Sequence, residues 1–149
     1  MQVLLPPQTW VLKKELLYIP FFGWALALIK PIAINRKDKL SALKQLIKQG
    51  SARLKENISI LIFPEGTRVS IGKTKPFSRS GAALAIETST NILPIAHNAG
   101  KFWPRGPWIK SPGTVQIIIG KEISVKNNSS STLTKEIEGW INNTKKKID

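Results

Sequence analysis

Apolar runs alternate with amphipathic segments along the 149-residue chain. The clearest run spans Ile58 to Phe63, where β-branched and aromatic residues are typical of a buried strand. Proline, glycine or charged residues bound the other runs and end regular structure there. Further strands are predicted over Trp10–Leu17, where the strand runs into a turn, and over Pro31–Arg36, Asn91–Ala96 and Val115–Ile119.

Amphipathic helices are predicted between and after these strands. Asp38 is expected to cap a helix from Lys39 to about Glu56 that lies on a sheet. Its buried face is expected to consist of Leu40, Leu43, Ile47 and Leu54. A second helix is predicted over Gly81–Glu87, and a terminal one over Leu133–Ile141, followed by a fraying lysine tail. Strands that alternate with helices indicate an α/β layer architecture.

The segment from Leu16 to Ile29 carries no charged residue and is rich in aromatic residues. It is too short to span a bilayer, which takes about 20 apolar residues. One interpretation is a helix buried in the core. The other is a segment that lies in a membrane interface, with its aromatic rings at headgroup depth and Lys13, Lys14 and Lys30 at its margins.

The composition favours anionic partners. Lysine and arginine total 23 against nine aspartate and glutamate residues, so the formal charge is +14. Such a balance suits nucleic acid, an anionic lipid surface or a phosphorylated substrate. Cysteine is absent and His97 is the single histidine, so disulfides are excluded and we expect no metal site built from protein ligands.

The end of the Ile58–Phe63 run is the best candidate for a binding site. Pro64 and Gly66 prevent the strand from continuing, so the chain must turn there. Backbone N–H groups in such a turn and the planar guanidinium of Arg68 both suit a phosphate, and ligands of α/β sheets bind at strand ends. Arg68 could instead pair with a carboxylate. Arg36, at the end of another predicted strand, is a second candidate.

The run from Phe63 to Arg68 resembles the third sequence block of the glycerolipid acyltransferase family. Other blocks follow in the family's order, so that the resemblance extends from about Trp10 to Gly100. The residues that resemble the second block are Lys14–Leu16, Pro20, Gly23 and Ile34–Arg36; Lys75, Phe77 and Gly81 resemble the segment after the third block, and Leu93–His97 resembles the fourth.

The resemblance implies a single-layer mixed sheet flanked by helices, with the acyltransferase domain at residues 1–126 and a linker and basic amphipathic helix at 127–149. It implies acyl transfer from coenzyme A or acyl carrier protein to lysophosphatidic acid, without a bound cofactor, at the cytoplasmic face of an anionic membrane. Arg68 and Arg36 would bind the substrate phosphate with Gly66 and Thr67 as backbone donors. Glu65 would hold Arg68 or a substrate hydroxyl.

One block of the family is missing from this sequence. The family's general base is the histidine of an Asn-His-x-x-x-x-Asp motif, and the sequence does not contain that motif. We therefore expect that an N-terminal portion, with its membrane-contacting segment, is lacking. His97 is a weak substitute because no carboxylate lies near it in sequence, and a hydrogen-bonded structural role fits it better. No catalytic residue is assigned.

Two alternatives to an active enzyme remain at this stage. The chain could be an inactive lipid-binding fragment of the family, since the motif of the general base is missing. It could also be a basic nucleic-acid-binding domain, given its charge of +14. We do not expect nucleic acid as a partner, because the sequence has neither a helix-turn-helix pattern, nor zinc ligands, nor an aromatic-basic RNA motif.

Overall fold

The computed structural model describes residues 7–67, 69, 72, 74–104 and 110–148. The chain divides into two compact units, Met1–Phe63 and Pro64–Asp149. Each unit has its own small sheet with helices packed on it.

Three parallel strands form the sheet of the first unit. They are β1 (Gln8–Lys13), β2 (Ile32–Ile34) and β3 (Ser59–Leu61), in the order β2-β1-β3. In register, Lys13 of β1 lies beside Ile34 of β2, and Thr9 lies beside Ile60 of β3. Because the strands are parallel, their C-terminal ends lie on the same side of the sheet, and the segments that follow them leave the sheet there.

Two helical segments connect β1 to β2. A 3-10 helix spans Lys14–Tyr18, and α1 spans Phe22–Leu28. Gly23 is the buried residue of α1, and a Cβ there would collide with the carbonyl group of Leu17. Most of the apolar side chains of this segment face solvent, so the prediction of a buried core helix is wrong for the described structure.

Helix α2 (Lys39–Lys55) packs on β2 and β3. The predicted cap is confirmed, since the Asp38 carboxylate accepts hydrogen bonds from the N–H groups of Leu40 at 3.0 Å and Ser41 at 3.2 Å. The predicted buried face is wrong at Leu40, which is 76% exposed, whereas Leu46 is 1% exposed. Leu40 lies in the first turn, and the helix meets the sheet only further along.

Contacts of α2 with β2 also protect an edge of the sheet. The Gln49 amide bonds both backbone groups of Ala33, at 3.1 and 2.9 Å, and Gln45 accepts from the Asn35 N–H group at 3.0 Å. These side chains take the place of a further strand beside β2. An unpaired strand edge would otherwise invite aggregation.

The second unit contains α3 (Ser80–Glu87), β4 (Ile95–His97), α4 (Ala99–Phe102), β5 (Ile117–Ile119) and α5 (Ser130–Ile148). Strands β4 and β5 pair antiparallel, with Ala96 beside Ile118. Helix α5 packs on α3 and β4. The core of this unit consists of Ala82, Ala85, Val125 and Leu133, with Ile86, Ile92 and Ile123 packed against it.

The predicted α/β class is confirmed, with both parallel and antiparallel strand pairs. The terminal lysines were predicted to fray, and that is wrong, because α5 continues to Ile148. The helix packs along the unit, and this keeps its last turn formed. The domain boundary predicted at residue 126 stays a prediction. None of the described helices is both long enough and apolar enough to cross a membrane.

Candidate functional site

A recess lies at the C-terminal ends of the parallel strands β1 and β2. Since Lys13 pairs with Ile34, the next residues, Lys14 and Asn35, leave the sheet side by side. The recess measures about 220 Å³ and opens to solvent. Its lining consists of Lys14, Glu15, Tyr18, Asn35 and Lys37.

The chemistry of this recess suits a hydroxylated anion. The lining includes two lysines, Lys14 and Lys37, and one carboxylate residue, Glu15. Tyr18 and Asn35 add a neutral hydroxyl and a neutral amide that can form hydrogen bonds. Arg36 lies between two lining residues in sequence and is exposed. The site residue predicted at the end of β2 therefore lies beside a recess with a net positive charge.

Hydrogen bonds hold the loop that carries Arg36. The Asn35 N–H group donates to Gln45 of α2 at 3.0 Å, and the Asn35 side-chain oxygen accepts from the Lys37 N–H group at 3.1 Å. This is an Asx turn, a local device that fixes short polar loops. Sequence reasoning did not assign Lys14 or Lys37 to the site, although basic residues just after predicted strands were a usable signal.

The turn at Pro64–Thr67 has the form that its sequence predicts. Gly66 has a φ of 68°, in the left-handed region that favours glycine, and no described atom lies within 4 Å of the position where a Cβ would stand. The backbone conformation at position 66 therefore favours glycine, whereas the space around it would admit a side chain. The Pro64 carbonyl accepts from the Ser78 N–H group at 2.9 Å, which closes the loop that follows the turn.

Within this turn, Glu65 is half-buried and Gly66 and Thr67 lie at the surface. Arg68, the principal predicted site residue, lies outside the described residues, so its role stays a prediction. Glu65 forms an ion pair with Lys145 of α5, with 3.3 Å between Nζ and Oε1. Sequence reasoning missed this partner, which is 80 positions away in the chain.

His97 ends β4 in a network of backbone contacts. Its Nδ1 accepts a hydrogen bond from the Ala99 N–H group at 3.2 Å, which in the neutral ring requires the proton on Nε2. The adjacent Asn98 bonds the Gln116 N–H group at 2.8 Å and the Ile148 carbonyl at 2.9 Å. These contacts favour the structural role over that of a base. Across the described ranges, no three acidic or histidine side chains converge as metal ligands would.

The family comparison agrees with the resemblance that the sequence motifs carry. Residues 1–98 match the Acyltransferase family, so the chain belongs to that family. The predicted family is thereby confirmed. The individual roles predicted for Arg68, Glu65, Gly66, Thr67 and Arg36 stay predictions.

Individual relatives carry a more specific name. The chain is 50% identical over 145 residues to the 1-acyl-sn-glycerol-3-phosphate acyltransferase of Pseudomonas aeruginosa, covering 95% of this chain and 56% of that protein. It is 39% identical over 87 residues to the Helicobacter pylori protein of the same name, covering 58% of this chain and 36% of that protein.

A solved structure shares the fold. The crystal structure of the 1-acyl-sn-glycerophosphate acyltransferase PlsC from Thermotoga maritima superimposes with a TM-score of 0.77 at 26% identity, covering 95% of this chain and 56% of that one. The chain thus spans little more than half the length of the Pseudomonas and Thermotoga proteins.

Proposed function

We propose that this chain serves the transfer of a fatty acyl group to 1-acyl-glycerol-3-phosphate, which yields phosphatidic acid. The substrate hydroxyl attacks the thioester carbonyl, a C–O bond forms, the C–S bond breaks, and the hydroxyl proton passes through a base to the leaving thiolate. The acyl group arrives already activated, as a thioester of coenzyme A or of acyl carrier protein. The proposed reaction therefore uses no bound cofactor. The observation that carries this proposal is the 50% identity to the Pseudomonas acyltransferase over 95% of the chain.

The proposed phosphate site is the turn that follows β3. Arg68 would pair two phosphate oxygens at once, which a lysine ammonium cannot do. Backbone N–H groups of Gly66 and Thr67 would add short-range donors. Arg36, in the loop after β2, is a separate candidate for an anionic group of a substrate, and its loop is supported by the Asx turn at Asn35.

We propose that the lipid substrates are met at the cytoplasmic face of an anionic membrane. Two features support this: the net charge of +14 and the exposed apolar side chains of the segment between Lys14 and Lys30. The exposed side chains include Tyr18, Phe21, Phe22, Trp24 and Leu28. Aromatic rings flanked by lysines are typical of interfacial segments. We assign the positive charge to lipid and not to nucleic acid.

The proposed function is tested by phosphatidic acid formation from radiolabelled acyl thioester and lysophosphatidic acid. The assay compares the 149-residue chain with a version preceded by a segment that carries the family's Asn-His-x-x-x-x-Asp block. We expect transfer by the extended protein, because that block supplies the family's base. If the extended protein folds and binds lysophosphatidic acid but transfers nothing, the transferase proposal is wrong.

A second candidate function is lipid binding without transfer. One contact favours it: the Nδ1 atom of His97, the weak substitute for the family's base, accepts a hydrogen bond from the Ala99 N–H group. The same assay, together with titration calorimetry of lysophosphatidic acid binding, separates the two functions. Lysophosphatidic acid binding by both proteins, with transfer by neither, would support this second candidate.

A further inference from the structure

We propose that Lys145, in the last turn of α5, is a positioning residue for the turn at Pro64–Thr67. Its ammonium group holds the Glu65 carboxylate and so fixes the turn that presents backbone donors to the phosphate. The inference rests on the proposed function for the ligand, but the contact itself belongs to the structure of the second unit.

The ion pair between Lys145 and Glu65 is partly sheltered from water. The two atoms are 3.3 Å apart, and the side chains are 34% and 22% exposed. Lys146 and Lys147, the next residues of the same helix, are exposed. One lysine of the basic tail is therefore set apart by its position on the helix, and its neighbours provide matched controls.

Helix α5 contacts the other end of the same loop through Glu138. The Glu138 carboxylate accepts a hydrogen bond from the Phe77 N–H group at 3.4 Å. Glu138 and Lys145 are two helical turns apart and lie on one face of α5. Since Ser78 donates to the Pro64 carbonyl, the loop is closed at its base and α5 holds it from both ends.

The helix is itself well anchored. Leu133, near its start, is fully buried in the core, and the Ile148 carbonyl at its end accepts from the Asn98 side chain at 2.9 Å. A rigid helix can therefore transmit a fixed position to the turn. Side chains that are locked by such supporting contacts hold binding groups in productive geometry.

Charge gives the ion pair a second effect. A carboxylate beside a phosphate site repels the ligand unless a cation compensates it. In Lys145→Ala the Glu65 carboxylate would lose this cation and the turn would lose its tether. We expect lysophosphatidic acid to bind about tenfold more weakly, which corresponds to ~1.4 kcal/mol.

The experiment compares Lys145→Ala, Lys145→Arg and the control Lys146→Ala in the 149-residue chain. Isothermal titration measures lysophosphatidic acid binding, and amide hydrogen exchange follows residues 65–67 without ligand. We expect weaker binding and faster exchange in Lys145→Ala alone, with recovery in Lys145→Arg. Equal exchange in Lys145→Ala and Lys146→Ala would overturn the proposal, whether or not the chain binds the lipid.

A double-mutant cycle with Glu65→Gln separates positioning from general loss of stability. If Lys145 acts through Glu65, Lys145→Ala causes no further change of exchange in the Glu65→Gln background. An undiminished effect in that background would refute the assignment. Failure of the wild-type chain to bind lysophosphatidic acid would instead count against the proposed function, and the exchange data would still decide the role of Lys145.

Discussion

Replacement of Leu28 by alanine should weaken binding to anionic vesicles without affecting the fold. Leu28 is 84% exposed at the end of α1, one helical turn after Trp24, whose ring packs edge-on against Phe21 with 5.1 Å between centroids. Residues four positions apart lie on the same helix face. Leu28 therefore extends the exposed apolar surface of Phe21 and Trp24, which we propose enters the lipid interface.

The magnitude follows from the hydrocarbon that the substitution removes. Leucine to alanine deletes the equivalent of about three CH₂ groups, and each is worth ~0.8 kcal/mol on full transfer from water to an apolar phase. The upper limit is then ~2.4 kcal/mol, and insertion to half depth leaves ~1.2 kcal/mol. Partitioning should fall about eightfold.

The assay is sedimentation with vesicles that contain phosphatidylcholine and about 30 mol% phosphatidylglycerol, compared with phosphatidylcholine alone. Leu40→Ala is the matched control, because Leu40 is 76% exposed but lies on α2. We expect Leu40→Ala to bind as the wild type does. Equal binding by the two variants, or equal binding to both vesicle compositions, would refute the reasoning.

Two further predictions concern backbone fit and phosphate recognition. Gly23→Ala should lower the free energy of unfolding by about 1–3 kcal/mol, because its Cβ would collide with the Leu17 carbonyl. Gly139→Ala, where no described atom lies within 4 Å, should raise it by up to about 1 kcal/mol; urea unfolding of both variants checks the pair, and a loss in both would contradict it. Arg68→Ala should abolish measurable lysophosphatidic acid binding and Arg68→Lys should restore little, because a point charge cannot pair two oxygens. Titration calorimetry decides this, and wild-type affinity in the lysine variant would disprove bidentate binding.

Local patterns in the sequence were sufficient for the elements that local interactions determine. The Asp38 cap, helix α2 and strand β3 are all recognisable from short stretches, and the structure has them in those places. The amphipathic pattern alone could not identify the buried face of α2. Leu40 and Leu46 are both leucines, and only the position of the sheet decides which of them is buried.

Tertiary contacts explain what sequence reasoning missed at the site. Lys14 and Asn35 line one recess because β1 and β2 are neighbours in register, and no local pattern specifies a strand order. The ion pair between Glu65 and Lys145 joins residues 80 positions apart. Arg36 could be proposed because a basic residue at a strand end is visible in sequence, whereas the recess beside it is not.

The parallel sheet also explains how short loops can form the candidate recess at the ends of its strands. Strand β2 has only three residues, so its position depends on β1 on one side and on Gln49 of α2 on the other. The Gln45 amide then bonds Asn35, the first residue beyond the strand, and Asn35 in turn fixes Lys37. The loop that carries Arg36 is therefore anchored by the helix that completes the sheet edge. Stability of the edge and geometry of the recess depend on the same side chains.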